Sequence, residues 1–117
     1  MDNLEQVISL FLPEGLLDLF EIVNVATDNE THINIWLDER HIPPQSTETT
    51  YFSKGFTPVS VIQDFPVRGK ALFLHIRRRK WLDLKTNQII SNSFDLTHLG
   101  TRMSKEFTAF LKGTNRE

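Results

Sequence analysis

The sequence predicts an α+β fold, in which N-terminal helices and a β-hairpin precede an antiparallel, ribbon-like sheet and a C-terminal helix. Residues 31–38 and 71–82 alternate between two sets of side chains, a period that is typical of strands with one buried face. Residues 3–12 and 102–112 instead carry apolar side chains at helical spacing. The chain has 117 residues, 39% of them hydrophobic, so we expect one compact domain with a modest core.

The N-terminal part predicts two helices and a hairpin. Asp2 and Glu5 have the spacing of a capping box at the start of the first helix, and Pro13 ends it before a short second helix at 13–20. The β-branched run 20–26 and the alternating run 31–38 flank a polar turn, which indicates a β-hairpin. On its second strand Ile33, Ile35 and Leu37 are predicted to point inward. The predicted outward-facing residues are His32, Asn34, Trp36 and Asp38.

The chain divides by composition into three parts. We predict an acidic half at residues 1–40, a linker loop at 41–54 that contains Pro43-Pro44, and a basic half at 55–117. In the basic half, strands are predicted at 57–65, 71–82 and 88–94, with a turn at Val67-Arg68-Gly69-Lys70, before the final helix at 102–112. Gly113 is placed to end that helix.

The small net charge of −2 conceals a strong asymmetry. Residues 1–50 contain ten acids and one base, a charge of −9, whereas residues 51–117 contain twelve bases and five acids, a charge of +7. Such a division suggests two surfaces with different partners, of which the basic one could meet phosphate. The alternative is that the two halves neutralise one another in a compact fold.

The run Arg77-Arg78-Arg79-Lys80-Trp81 is the strongest local signal for a binding site. Alternate cations on one face of a strand lie roughly 6.5–7 Å apart, which suits successive backbone phosphates, and an adjacent aromatic side chain adds a stacking surface. The competing interpretation is a solvated sheet edge that blocks strand addition. The predicted DNA-binding residues are Arg68, Lys70, Arg77, Arg78, Arg79, Lys80, Trp81, Lys85, Arg102 and Lys105. Carboxylates from the first fifty residues that held these guanidinium groups would leave no surface for a nucleic acid to approach, and would overturn a DNA-binding role that rests on this ribbon.

Several functional classes are disfavoured by composition. The absence of cysteine excludes disulfides, thiolate catalysis and zinc ribbons, and no two histidines have the i, i+4 spacing of a helical metal site. No phosphate-binding glycine loop or serine–histidine relay is recognisable. Asp64, Asp95 and Glu106 could be grouped as a two-metal nuclease site, an interpretation that we regard as the weaker one. We therefore expect no enzyme activity, no metal and no cofactor.

The chain carries no signal for the membrane or for export. No stretch reaches the roughly 18–20 apolar residues of a membrane span, and the N-terminus is acidic where a secretory signal would be basic. We expect a cytoplasmic protein without membrane contact.

Residues 61–81 resemble a known family. The stretch 61–70, with Asp64-Phe65-Pro66-Val67-Arg68-Gly69, followed by the strand 72–81 that ends in three arginines, a lysine and a tryptophan, is similar to the N-terminal region of bacterial insertion-sequence transposases of the ISL-three-like group. Residues 100–111 look like the ISAon-type subset, in which this region is a separate small protein, and the resemblance extends over nearly the whole chain. The usual members hold this strand in a zinc ribbon, whereas this chain lacks every cysteine.

The resemblance implies a non-catalytic accessory protein of a mobile element. Its implied partners are the terminal inverted repeats of the element, as double-stranded DNA, and a catalytic transposase subunit; a homodimer is possible. The alternative is a protein-interaction or self-associating module without DNA binding, in which faces of opposite charge pair head to tail. Dimerisation that disappears at high salt would favour that alternative.

Overall fold

The computed structural model describes residues 3–13, 15–28, 31–46, 48–92 and 109–110, and the account below is confined to them. Two short helices come first, α1 (Asn3–Ser9) and α2 (Leu16–Leu19). Seven strands follow: β1 (Phe20–Asp28), β2 (His32–Glu39), β3 (Tyr51–Phe56), β4 (Ser60–Val67), β5 (Lys70–Arg77), β6 (Arg79–Asp83) and β7 (Gln88–Ile90).

Four strands form the larger sheet, sheet A, in the order β1-β2-β5-β4. The predicted hairpin is present, since β1 and β2 pair antiparallel from Phe20 opposite Glu39 to Asp28 opposite His32. β2 and β5, however, run parallel, so the sheet is mixed and the expectation of a purely antiparallel sheet is wrong. This pairing joins the acidic and basic halves of the chain in one sheet.

The hydrophobic core lies against one face of sheet A, the inner face. Alternate residues of the three strands β2, β5 and β4 point into it, which is the pattern that their sequences predict. The residues buried there are Ile35, Leu37, Ile62, Leu72, Leu74 and Ile76. They pack against Ile8, Leu12, Leu16 and Phe20 from the N-terminal segment, and against Phe110. The short helices thus cover one face of the sheet.

Three strands form the smaller sheet, sheet B, in the order β3-β6-β7. The single strand predicted at 71–82 is in fact divided at Arg78 between the two sheets. The backbone N–H of Arg78 donates to Oγ1 of Thr57, 3.1 Å away, and its carbonyl accepts from the N–H of Thr57 at 2.8 Å. Because these bonds take Arg78 out of the ladder, the chain leaves sheet A and enters sheet B there. β3 begins inside the predicted linker, which is therefore a loop only as far as Thr50.

The described residues make a β-rich protein with few short helices, in which the N-terminal helices and the hairpin of the expected α+β fold are present. Most of the predicted C-terminal helix lies outside the described residues, within which residues 109–110 are helical. The end of the predicted strand 88–94 lies outside them as well. No described helix is long and apolar enough to cross a membrane.

Candidate nucleic-acid interface

Arg77 lies at the C-terminal end of β5, directly opposite Asp38 on the parallel strand β2. Its Nε and Nη2 donate to the two carboxylate oxygens of Asp38 at 2.8 and 2.5 Å, a two-pronged arrangement that fits the planar guanidinium. The hydrogen bond to Asp38 raises the pKa of Arg77 above its ordinary value. Phosphate would therefore have to displace a well-oriented carboxylate to bind here.

Arg78 is turned into the protein, where it meets Glu39. Its side chain is 10% exposed and that of Glu39 is 2% exposed, with Nε of Arg78 3.4 Å from Oε1 of Glu39. Nη2 of Arg78 also donates to the backbone carbonyl of Asn92, whose side-chain amide donates to Glu39 and to the carbonyl of Ile42. Buried charges persist only when they are paired and hydrogen-bonded in this way. Arg78 thus helps to join the two sheets.

Arg79, the first residue of β6, also binds Glu39. Its backbone N–H donates to Oε1 of Glu39 at 3.1 Å, and its Nε donates to the backbone carbonyl of Glu39 at 3.0 Å. Its guanidinium carbon lies 4.6 Å from the ring centre of Phe56, and that of Arg77 lies 4.2 Å from the same ring. One aromatic side chain of β3 is therefore held by two guanidinium groups.

The arginine run therefore connects the two halves of the chain. Asp38 and Glu39 belong to the acidic half, and they engage all three arginines of the run 77–79, which the sequence analysis assigned to phosphate. Carboxylates from the first fifty residues therefore hold Arg77, Arg78 and Arg79, which is the arrangement that counts against phosphate binding by this run. Where the end of β2 meets β5 and β6, the acidic and basic halves of the chain neutralise one another. This agrees with the alternative explanation of the charge asymmetry.

Trp81 lies on β6, the central strand of sheet B, and its side chain is on the buried face, with the residue 1% exposed. Its ring meets that of His41 edge-on, with the ring centres 5.1 Å apart. Within the part of the chain that the structure describes, its indole N–H has no hydrogen-bond partner. A stacking surface for nucleic-acid bases needs an accessible ring, which Trp81 does not offer here.

The other predicted cations divide into two groups. Arg68 and Lys70 lie at the β4–β5 turn, and Lys80 and Lys85 lie in sheet B and its β6–β7 turn. None of these four takes part in an ion pair with any described residue. The length of β5 separates the groups by roughly 23 Å of strand. Arg102 and Lys105 lie outside the described residues.

An apolar row crosses the face of sheet B opposite to Trp81. Phe52 on β3 and Ile89 on β7 both lie directly opposite Leu82 on β6, and they are 62% and 52% exposed. Lys80 lies beside this row on β6, and Lys54 follows Phe52 by two residues on β3, where the register with β6 shifts between Ser53 and Phe56. We call Phe52, Lys54, Lys80, Leu82 and Ile89 the sheet B face.

Sequence analysis missed Lys54, Phe52 and Ile89 as members of this surface. Lys54 was assigned to the end of the linker, although Tyr51 and Phe52 are aromatic residues of the kind that strands favour. That aromatic pair was the signal that could have found β3. The cross-strand alignment of Phe52, Leu82 and Ile89 depends on the strand register, which no local pattern specifies.

The β6–β7 turn next to this face is held by Asp83. Oγ1 of Thr49 donates to its carboxylate at 2.6 Å, and the backbone N–H of Lys85 donates to it at 2.9 Å. These hydrogen bonds, with that from Thr49 the strongest, lower the pKa of Asp83 below its ordinary value. The carboxylate therefore keeps its charge, and it accepts from the backbone of Lys85 without a described ion pair to the Lys85 ammonium.

Of the residues grouped as a possible nuclease site, Asp64 alone lies among the described residues. Asp64 lies on the inner face of β4 and is buried, while Asp95 and Glu106 lie outside the described ranges. No three described histidine or acidic residues are close enough to hold a metal ion. A groove of about 470 Å³ lies beside Asp64, and its other lining residues are Leu10, Phe11, Leu12, Phe65, Pro66 and Val67.

Comparison with known proteins gave no relative. No protein-family model, no curated protein and no solved structure matches this chain.

Proposed function

We propose that this protein is a non-catalytic DNA-binding accessory protein of an insertion-sequence transposase, and that the sheet B face meets the DNA. The observation that carries the proposal is the position of Lys54 and Lys80. They lie beside an exposed apolar row on an antiparallel sheet, with no described carboxylate paired to them.

Unpaired lysines supply the attraction that phosphate binding needs. Each ammonium that contacts a phosphate releases condensed counterions from the duplex, which gives affinity and makes that affinity depend on salt. Lys85, at the β6–β7 turn of the same sheet, adds a third positive charge. Arg77, Arg78 and Arg79 have a different role in this proposal, since they hold sheet B against sheet A.

The shape of sheet B is compatible with a groove of duplex DNA. β-Strands are among the elements that enter DNA grooves, and the major groove is about 12 Å wide. Three strands spaced about 4.8 Å apart present a narrow ribbon of similar width. Phe52 and Ile89 would lie against sugars and thymine methyl groups, which are the apolar surfaces that a groove offers.

The identity of the DNA and of the second partner rests on the family resemblance. The resemblance of residues 61–81 to transposase N-terminal regions implies the terminal inverted repeats of a mobile element and a catalytic transposase subunit. Phosphate contacts alone would give affinity without sequence choice.

The proposal is tested by measuring binding to fluorescent duplex DNA at several salt concentrations. Lys54→Ala with Lys80→Ala should weaken binding and reduce the slope of log affinity against log salt by about 1.8, at about 0.9 for each lost phosphate contact. Arg68→Ala with Lys70→Ala removes the same charge at the far end of β5 and serves as the matched control, with a smaller change in slope expected.

Two results would count against the proposal. One is the absence of any binding to duplex DNA at low salt. The other is an equal loss of slope for the two double variants, because it would show that only net charge matters. DNA binding that Arg77→Ala abolishes while the fold remains intact would return the site to the arginine run.

A further inference from the structure

The face of sheet A that points away from the core, its outer face, has an unusual composition for a surface. Strand alternation places Asn34, Trp36 and Asp38 of β2 on this face, next to Phe73, His75 and Arg77 of β5. The flanking strands add Ala26 opposite Asn34, and Val61 and Gln63 opposite His75 and Phe73. Aromatic residues and arginine are the types that protein interfaces enrich.

The aromatic rings of this face pack against other rings. Trp36 and His75 stack with ring centres 4.3 Å apart and planes at 17°, and His32 stacks on Phe73 at 5.5 Å. Nε2 of His75 also lies 2.8 Å from Oδ1 of Asn34. Burial lowers the pKa of His75, which favours its neutral form. Because ring faces are already occupied, the surface presents ring edges and is a poor platform for stacked bases.

The centre of the outer face is electrically neutral. Asp38 and Arg77 neutralise each other through the two-pronged contact, and Glu21, opposite Asp38 on the edge strand β1, lies 4.0 Å from Arg40. The residues between them and the β4–β5 turn are apolar, amide or imidazole side chains. A charged partner would find nothing complementary, whereas a second copy of the same face would meet no repulsion.

Parallel strand pairs are normally covered on both faces, and this sheet is covered on one. β2 and β5 form the parallel pair at the centre of sheet A, and the helices lie on the inner face. Within the described ranges no helix or strand packs over the middle of the outer face, and Val61 is 53% exposed there.

We infer that the outer face of sheet A is the interface of a homodimer in which two copies pack sheet against sheet. Four strands about 4.8 Å apart and eight residues long make a face of roughly 500 Å² per copy. Two copies would bury about 1,000 Å², which is the lower bound for a specific interface. A dimer of this size is weak, with an expected Kd of about 10–100 µM.

The neutral interface has a salt signature of its own. Apolar and aromatic contacts are not screened by ions, so the dimer should persist at about 1 M salt, where the Debye length is about 3 Å. Head-to-tail pairing of acidic and basic faces, the alternative considered from the sequence, would dissociate under the same conditions.

Sedimentation equilibrium up to about 500 µM protein tests the inference, since that concentration exceeds the expected Kd. Val61→Glu and Ala26→Glu place a carboxylate on the two outermost strands of this face, and each should shift the protein to monomer. Val7→Glu is the matched control, because Val7 is 51% exposed but lies on α1, on the other side of sheet A. It should leave the dimer unchanged, and far-UV circular dichroism verifies the fold of every variant.

A dilution series of the unaltered protein, followed by NMR, maps the interface without substitutions. Concentration-dependent shifts are expected at Trp36, Val61 and Phe73 and not at Val7. A protein that stays monomeric over this range overturns the inference, as does a dimer that Val61→Glu leaves intact or that dissolves at high salt. A monomer that binds DNA would overturn the proposed dimer and leave the proposed DNA-binding function in place.

Discussion

Glu39 is the most deeply buried charged residue among those that the structure describes. Its side chain is almost fully buried at the end of β2, where it accepts hydrogen bonds from Arg78, from the backbone of Arg79 and from Asn92. This carboxylate links three other positions of the chain. Removing it would leave the guanidinium of Arg78 buried without a compensating charge.

Glu39→Ala should therefore lower the free energy of unfolding by about 3–5 kcal/mol, as breaking one side of a buried ion pair does. Glu21→Ala provides the control, because Glu21 is half-exposed and 4.0 Å from Arg40, and it should change the stability by less than about 1 kcal/mol. Urea unfolding measures both. Similar small effects for the two variants would mean that the Glu39 network does not hold the sheets together.

The carboxylate partners of Arg77–Arg79 explain why the sequence alone did not indicate the role of this run. A cluster of arginines has the same local appearance whether it faces phosphate or a carboxylate that is about forty residues away in the chain. Asp38 and Glu39 were visible as acids of the predicted hairpin, yet nothing local to them indicates that β5 lies alongside β2. The pairing of charges followed from the pairing of strands.

At the scale of elements, the β4–β5 turn is built around two residues with positive φ. Val67 pairs with Lys70, which leaves Arg68 (φ 51°) and Gly69 (φ 80°) as a two-residue loop. Type I′ hairpin turns require positive φ at both positions, for which Asn-Gly is preferred. Arginine in this conformation is uncommon and strained.

Arg68→Asn should consequently stabilise the protein, by roughly 0.5–1 kcal/mol, because asparagine tolerates the left-handed conformation better. Thermal unfolding measures the gain. Arg68→Ala, which removes the same charge without that tolerance, is the comparison variant. A gain of equal size for alanine would show that charge, not backbone conformation, is the source.

Local sequence was most informative about individual strands and turns. The alternation of residues 31–38 correctly indicated which side chains of β2 face the core, and Arg68-Gly69 was correctly predicted as a turn. The break at Arg78 was not foreseen, since residues 71–82 alternate through it without interruption. Thr57, which binds both backbone groups of Arg78, lies about twenty residues away in the chain.

At the scale of the whole molecule, sheets A and B are joined by three chain crossings, at β2–β3, β3–β4 and β5–β6, and by one buried polar network. β5 continues directly into β6, and Glu39 of sheet A binds Arg78 and Arg79 at that crossing. Sheets joined in this way should unfold together, because neither retains its partners for the buried charges without the other.

The two tryptophans allow this coupling to be measured. Trp36 lies in sheet A and Trp81 in sheet B, so Trp81→Phe leaves a probe of the first sheet and Trp36→Phe a probe of the second. Each variant's fluorescence transition in urea should coincide with its own far-UV circular dichroism transition. Separate transitions would indicate that the sheets are independent units.

The sequence by itself determined the hairpin of β1 and β2, the strands β4 and β5, and the buried faces of β2 and β5, because these depend on side-chain periodicity and on backbone preferences over a few residues. Only the tertiary structure decided which strands lie side by side. That choice set the parallel pairing of β2 with β5, the capture of the arginine run by Asp38 and Glu39, and the exposure of Lys54 and Lys80. The physical reason is that strand pairing is selected by the free energy of the whole fold, to which residues distant in the chain contribute together.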